Sequence, residues 1–150
     1  MILPIITNPN DILRQKAKEV VDIKSKRIQQ LILDMTETMK KKDGIGLAAP
    51  QINKSLKMVV VNTTNETLVL INPKITKKSW KKENGEEGCL SIPGVFGMVK
   101  RHKSVKAKFL DRKGEKVEIK AQGMLARVIQ HEIDHLNGIL FIDKLEKKNV

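Results

Sequence analysis

The chain has 150 residues, enough for one domain that buries roughly 70% of its unfolded surface. With 40% hydrophobic residues, no apolar run near the 18 or so of a membrane span, and no basic-then-apolar leader in MILPIITNPNDILR, it reads as a globular cytoplasmic protein that neither crosses a membrane nor enters secretion. A net charge of +12 draws it toward polyanions, and its single Cys excludes an internal disulfide, fits a reducing compartment and leaves that thiol free for a metal.

In chain order, Ile2 to Ile6 contains Pro4 and reads as an extended arm. Asn8-Pro9-Asn10-Asp11 is a turn, and Asp11 is placed to cap a short helical stretch through about Ala17. Asp22 or Ser25 caps the first clear helix, which runs to about Lys42 with Ile28, Leu31, Ile32, Met35 and Met39 on one face. Asp43 to Gln51 breaks that helix, and two Gly in three residues suggest backbone that lies close to something. It is not a phosphate loop, since no Gly-Lys-Ser/Thr follows. Gln51 taken alone reads as a surface residue.

Lys57 to Asn62 and Thr67 to Ile71 are Val- and Leu-rich strands joined at Thr63 to Glu66, a hairpin that Asn72-Pro73 ends. A further strand is possible over Ile75 to Trp80. Glu86 to Gly94 reads as a tight, irregular segment around Cys89, where a ligand could be held at fixed geometry. Val105 to Leu110 and Lys116 to Lys120 alternate around Asp111 to Gly114, a second hairpin with one wet face. Gln122 or Gly123 starts the last helix, Asn137-Gly138 ends it, and Ile139 to Ile142 packs the tail back. The expected class is α+β: antiparallel strands packed around a central metal-binding helix, one further long helix toward the N-terminus, and residues 1–150 as a single catalytic domain.

That last helix carries His131-Glu132-x-x-His135. Positions i and i+4 share a face, so two imidazoles can grip one ion, and Glu132 can act as base toward a water the ion acidifies. The competing reading is a salt-bridged surface helix; the apolar flanks Val128, Ile129, Ile133 and Leu136, and a total of three His in the chain, favour the metal. A catalytic metal takes three protein ligands. The third His of some metalloproteases would fall at position 141, which is Phe, and only Asp143 and Glu146 are downstream carboxylates. The third ligand is therefore expected upstream, with Cys89 the leading candidate.

The basic residues lie in short groups: Lys40 to Lys42, Lys77 and Lys78, Lys81 and Lys82, Lys100 to Lys103, Lys147 and Lys148. With no Tyr, one Trp and three Phe, the chain cannot build a platform of stacked aromatics for single strands. The reading is a solvated Lys-rich surface, and the alternative a weak electrostatic partner such as ribosomal RNA.

Read together, GIGLAAPQ (44–51), EGCLS (87–91) and QHEIDH (130–135) resemble the three signature motifs of peptide deformylase. The Asn-x-x-Leu-Arg start (10–14) and the Asp-x-x-Gly-Glu turn (111–115) extend the resemblance over nearly the whole chain. It implies a metallohydrolase that removes the N-formyl group from the formylmethionyl end of nascent polypeptides and releases formate. It implies one divalent metal held by Cys89, His131 and His135, with Fe(II) the expected ion and Zn, Ni or Co as substitutes. Glu132 would be the base, and the Gln51 amide and Leu90 N–H the donors to the formyl oxygen. Ile45, Gly46, Glu87, Gly88 and Leu125 would bind the substrate, with the face of His131 in the methionine pocket and a Glu87–Arg101 ion pair behind it.

Three positions depart from the family pattern. Phe96 stands where several members have Arg, Arg127 where many have an apolar residue, and His102 where Pro is common. No long C-terminal helix follows, so contact with the ribosome is expected through the basic surface, and the protein is expected to be a monomer. Two other functions fit less well: a zincin-type endopeptidase, which lacks its downstream ligand, and a basic RNA-binding module with a structural metal, which would need a fourth ligand.

Overall fold

Ser25, not Asp22, starts the first helix: its hydroxyl accepts from the Ile28 N–H at 3.2 Å, whereas Asp22 pairs with Arg27. The computed structural model describes residues 1–146, so Lys147 and Lys148 lie outside the described residues. Helix α1 (Lys26–Lys41) buries Ile28, Leu31, Ile32, Met35 and Met39, the face read from the sequence. Thr38 joins that face, and its Oγ accepts from the Leu3 N–H, tying down the N-terminal arm. Farther along the arm, the Ile6 and Asn8 amides donate to the carbonyls of Gln51 and Ser91. The next turn is shorter than expected. Asn10, one residue before Asp11, caps a single 3-10 turn over Asp11–Arg14, and Gln15 is already extended.

Five antiparallel strands form one sheet in the order β1-β2-β3-β6-β7: β1 (Gly46–Ala48), β2 (Met58–Asn62), β3 (Thr67–Lys78), β6 (Ser104–Leu110) and β7 (Lys116–Gln122). Strands β4 (Lys82–Cys89) and β5 (Ile92–His102) pair as a separate antiparallel ribbon. Both expected hairpins are present, but one expectation needs correction. Asn72-Pro73 does not end β3. Asn72 takes a φ of +50° within a register shift and bonds both backbone groups of Val20, so the missing Pro N–H falls where the ladder is already interrupted. Glu86–Gly94 is irregular as expected but lies within a strand pair: Lys82 to Gly88 pair residue by residue with His102 to Phe96, and the register then jumps to Cys89 opposite Ile92, leaving Pro93 to Val95 unpaired beyond the corner at Leu90 and Ser91.

Strand β2 reads Met-Val-Val-Val because both of its faces are covered. Val59 and Val61 pack with Ala126 and Ile129 of the second helix, α2 (Gly123–Leu136), while Met58 and Val60 pack with Met35 and Met39 of α1. A third cluster of Leu13, Ile92, Val99, Leu140 and Phe141 joins the ribbon to the C-terminal segment. Gly138 (φ +74°) follows α2 as expected, and a Cβ there would run into the Arg14 backbone. The architecture is α+β, with antiparallel sheets and two α-helices. Among the described residues no helix is long and apolar enough to cross a membrane.

Candidate active site

His131 and His135 stand one turn apart on α2, both buried. Cys89 ends β4, at the register shift where the strand leaves its partner. Its Sγ lies 3.3 Å from His135 Nε2, and one donor atom from each of the three residues falls within 4.8 Å of the others. The structure thus brings together two helix residues and a thiol more than 40 positions upstream. Phe141, at the position of the absent third His, stacks on the His131 ring with centroids 6.1 Å apart.

Glu87 organises the surroundings. Its carboxylate accepts from His131 Nδ1 (2.9 Å), from Arg101 Nε and Nη2 (both 2.9 Å) and from Arg127 Nη1 (2.7 Å). The bond to Nδ1 fixes the ring and leaves Nε2 for the thiol side. The Glu87–Arg101 pair is present, with side chains only 5% and 3% exposed, and Asp134 is a second anion on Arg101. Burial raises the Glu87 pKa, but the bonds from His131 and Arg101 outweigh it and hold the group at about 2.

The electrostatics suit a cation. Burial alone would lower the His131 pKa, yet the charge of Glu132 and the bonds to Cys89 and Glu87 draw it up to about 10. The same negative field would favour a divalent ion, whose binding displaces that proton. His135 is held neutral near 3 by burial and by the charges of His131, Arg101 and Arg14. Burial raises Glu132 to about 7, and its Oε1 has no hydrogen-bond partner among the described residues. A thiolate, two imidazoles and an unpaired carboxylate oxygen make a donor set and base that fit a catalytic metal.

Gln51 is not a surface residue: it is 1% exposed. Its Oε1 accepts from the Ala48 N–H (2.9 Å), and its Nε2 points at Ser91 Oγ (3.1 Å) and Cys89 Sγ (3.5 Å). Leu90 follows Cys89 at the hairpin corner. A cavity of about 280 Å³ opens beside these groups, between the unpaired edges of β1 and β4. Ile45, Gly46, Glu87, Gly88 and Leu90 line it from the strand side. A Cβ at Gly46 would sit 2.6 Å from Glu132 Oε2, so the glycine lets strand and base lie side by side.

Leu125 does not line this cavity; it packs against the sheet core. The helix contributes Met124, Arg127, Val128 and His131 instead. Steps of three, one and three from Met124 to His131 form one stripe, and Leu125 is about 100° off it. Counting back seven from His131 would have found Met124. Arg127, which stands where many members have an apolar residue, turns its guanidinium to Glu87 and to the carbonyls of Glu83 and Val99. Phe96 lies against Gly88 at the cavity rim. His102 is half-buried, outside the cavity, with Nδ1 2.8 Å from the Ser79 carbonyl oxygen.

The sequence model of polypeptide deformylase matches residues 2–150. The peptide deformylase of Symbiobacterium thermophilum is 50% identical over 147 residues, 95% of this chain and 66% of that protein. That of Syntrophomonas wolfei is 49% identical over 143 residues, 95% of this chain and 93% of the relative. The crystal structure of the peptide deformylase from Thermotoga maritima superposes with a TM-score of 0.95 at 39% identity, covering 98% of this chain and 99% of that one. The chain belongs to the peptide deformylase family, metal-dependent hydrolases that remove the N-formyl group from nascent polypeptides.

Proposed function

We propose that residues 1–150 act as one catalytic domain in which Cys89, His131 and His135 hold a single divalent metal and Glu132 is the base, with α2 the metal-binding helix that the strands surround. The observation that carries this reading is the approach of three donor atoms to within 4.8 Å beside a buried, unpaired Glu132 oxygen. Fe(II) is the expected ion, with Zn, Ni or Co as substitutes, since thiolate and imidazole suit all four. When bound, such an ion supplies Lewis acidity toward the formyl oxygen and acidifies water.

The chain's own residues do the rest. Glu132 takes the proton of the attacking water and delivers it to the leaving amine. The Gln51 amide and the Leu90 N–H donate to the formyl oxygen as charge gathers on it. The peptide lies extended between the edges at Gly46 and Gly88. The methionine side chain enters the cavity past Ile45 and the stem of Glu87, over Met124, Val128 and the face of His131. The products are formate and a free amino terminus. The reading further includes a cytoplasmic monomer that meets nascent chains through weak electrostatic contact with the ribosome.

The ligand set is tested by loading the protein anaerobically with Co(II). One ion per chain and a thiolate-to-metal charge-transfer band are expected, with the band lost in Cys89→Ala. A band that survives that substitution refutes the assignment.

A further inference from the structure

The outer face of β3, β6 and β7 carries an arrangement that costs stability. Lys77 stands directly opposite Lys106, and Lys106 opposite Lys120, so three lysines form one rung across three strands. The next rung is Lys74, Lys108 and Glu118. Like charges in register repel, and strands lie about 4.8 Å apart, so the first rung is a tight row of positive charge. Among the described residues the lysine ion pairs are Lys100–Glu146, Lys103–Glu83, Lys108–Glu118 and Lys144–Asp134; none relieves the row.

At one end of this face, the β3–β4 turn displays Trp80, which is 94% exposed, between Lys77–Lys78 and Lys81–Lys82. The turn is held firmly. The Ser79 N–H donates to the Ser104 carbonyl (2.9 Å), the Ser104 N–H to Ser79 Oγ (3.1 Å), and the Lys103 N–H to the Lys81 carbonyl (3.0 Å). The Ser79 hydroxyl closes the turn on Lys81 O at 2.8 Å. An indole is thus presented to solvent on fixed backbone three residues past Lys77, the first lysine of the row.

We infer that the Lys77–Lys106–Lys120 row and the Trp80 turn form a docking surface for structured RNA that offers an unpaired base beside its phosphate backbone. The lysines would neutralise phosphates and relieve their own repulsion, and the indole would stack on the base. One Trp is not a platform for a long single strand, but it suffices for one base. A membrane surface is disfavoured: a single indole offers little apolar area to insert, and the lysine row runs away from the tip across three strands, Lys77 to Lys106 to Lys120. This inference gives the ribosome contact proposed above a place on the molecule, and it does not depend on the metal site.

Trp80 is the chain's one Trp, so its fluorescence reports on the surface directly. The whole protein would be titrated with a short RNA hairpin carrying an unpaired loop, and binding also followed by anisotropy of labelled RNA. Saturable quenching is expected, with log K falling against log salt at a slope of about −4 for roughly five phosphates. Trp80→Leu should weaken binding about tenfold and leave the slope unchanged. The triple variant Lys77→Gln, Lys106→Gln, Lys120→Gln should flatten the slope by about 3 units. Formate release from formyl-Met-Ala-Ser should be unchanged in both, which separates this surface from the catalytic reading. No binding at 50 mM salt, wild-type binding by the triple variant, or quenching by phosphatidylserine vesicles but not by RNA would each overturn the inference.

Discussion

Replacing Glu87 by Gln removes one negative charge from a site that gathers Arg101, Arg127 and His131. Two estimates of the cost agree. The gap between the ordinary carboxylate value of 4.5 and the value of about 2 here, at about 1.4 kcal/mol per pH unit, is worth about 3 kcal/mol. Breaking a buried ion pair from one side costs about 3–5 kcal/mol. For a chain of this size that lowers the melting temperature by roughly 6–20 °C. The assay is thermal melting of metal-stripped protein, so that ligand binding does not add to the transition. The pH dependence gives a second check. Because the folded pKa is depressed, the stability Glu87 contributes is complete above about pH 5 and is lost as pH falls toward 2. The difference between wild type and Glu87→Gln should therefore narrow over that interval. A variant melting within about 2 °C of wild type at neutral pH, or a difference that does not narrow in acid, would refute the reasoning.

Glu132, raised to about 7 by burial, must be ionised to accept a proton. Hence kcat/KM should rise with pH toward that region and level off above it, with the midpoint lowered by a bound cation; a rate that falls with rising pH below 7 would contradict the role. Gln51→Ala should lower kcat by about 10²–10³-fold while metal content stays at one per chain, measured by initial rates and metal analysis. Gly46→Ala should lower kcat by about 10²-fold, because the new methyl would meet the Glu132 carboxylate 2.6 Å away; full activity would mean that the base tolerates displacement.

What the sequence disclosed follows from how local each signal is. The α2 motif was legible because two His at helical spacing, apolar flanks and Gly138 all lie within a few residues. The face of α1 was legible from its period. Three short motifs identified the family, yet the burial of Gln51 depends on Ala48 and Ser91 closing around it, which no local pattern states. Strand β4 reads Lys-Glu-Asn-Gly-Glu-Glu-Gly-Cys, without apolar alternation, since its pairing rests on backbone bonds and its buried side chain is the charged Glu87. The passage of β3 through Asn72-Pro73 goes with a register shift at which the Asn72 side-chain amide bonds both backbone groups of Val20, a residue far upstream. Leu125 and Met124 differ by one position, and only the phase set by His131 tells which faces the cavity.

The most direct test of the proposed chemistry is formate release from formyl-Met-Ala-Ser by protein loaded anaerobically with Fe(II) or Ni(II), beside Glu132→Ala prepared in the same way. Steady turnover by the wild type, and its loss in a variant that still binds one metal per chain, is the expected result. A folded, metal-loaded wild type that releases no formate, or a variant that turns over as fast, would contradict the assignment of this site and its base.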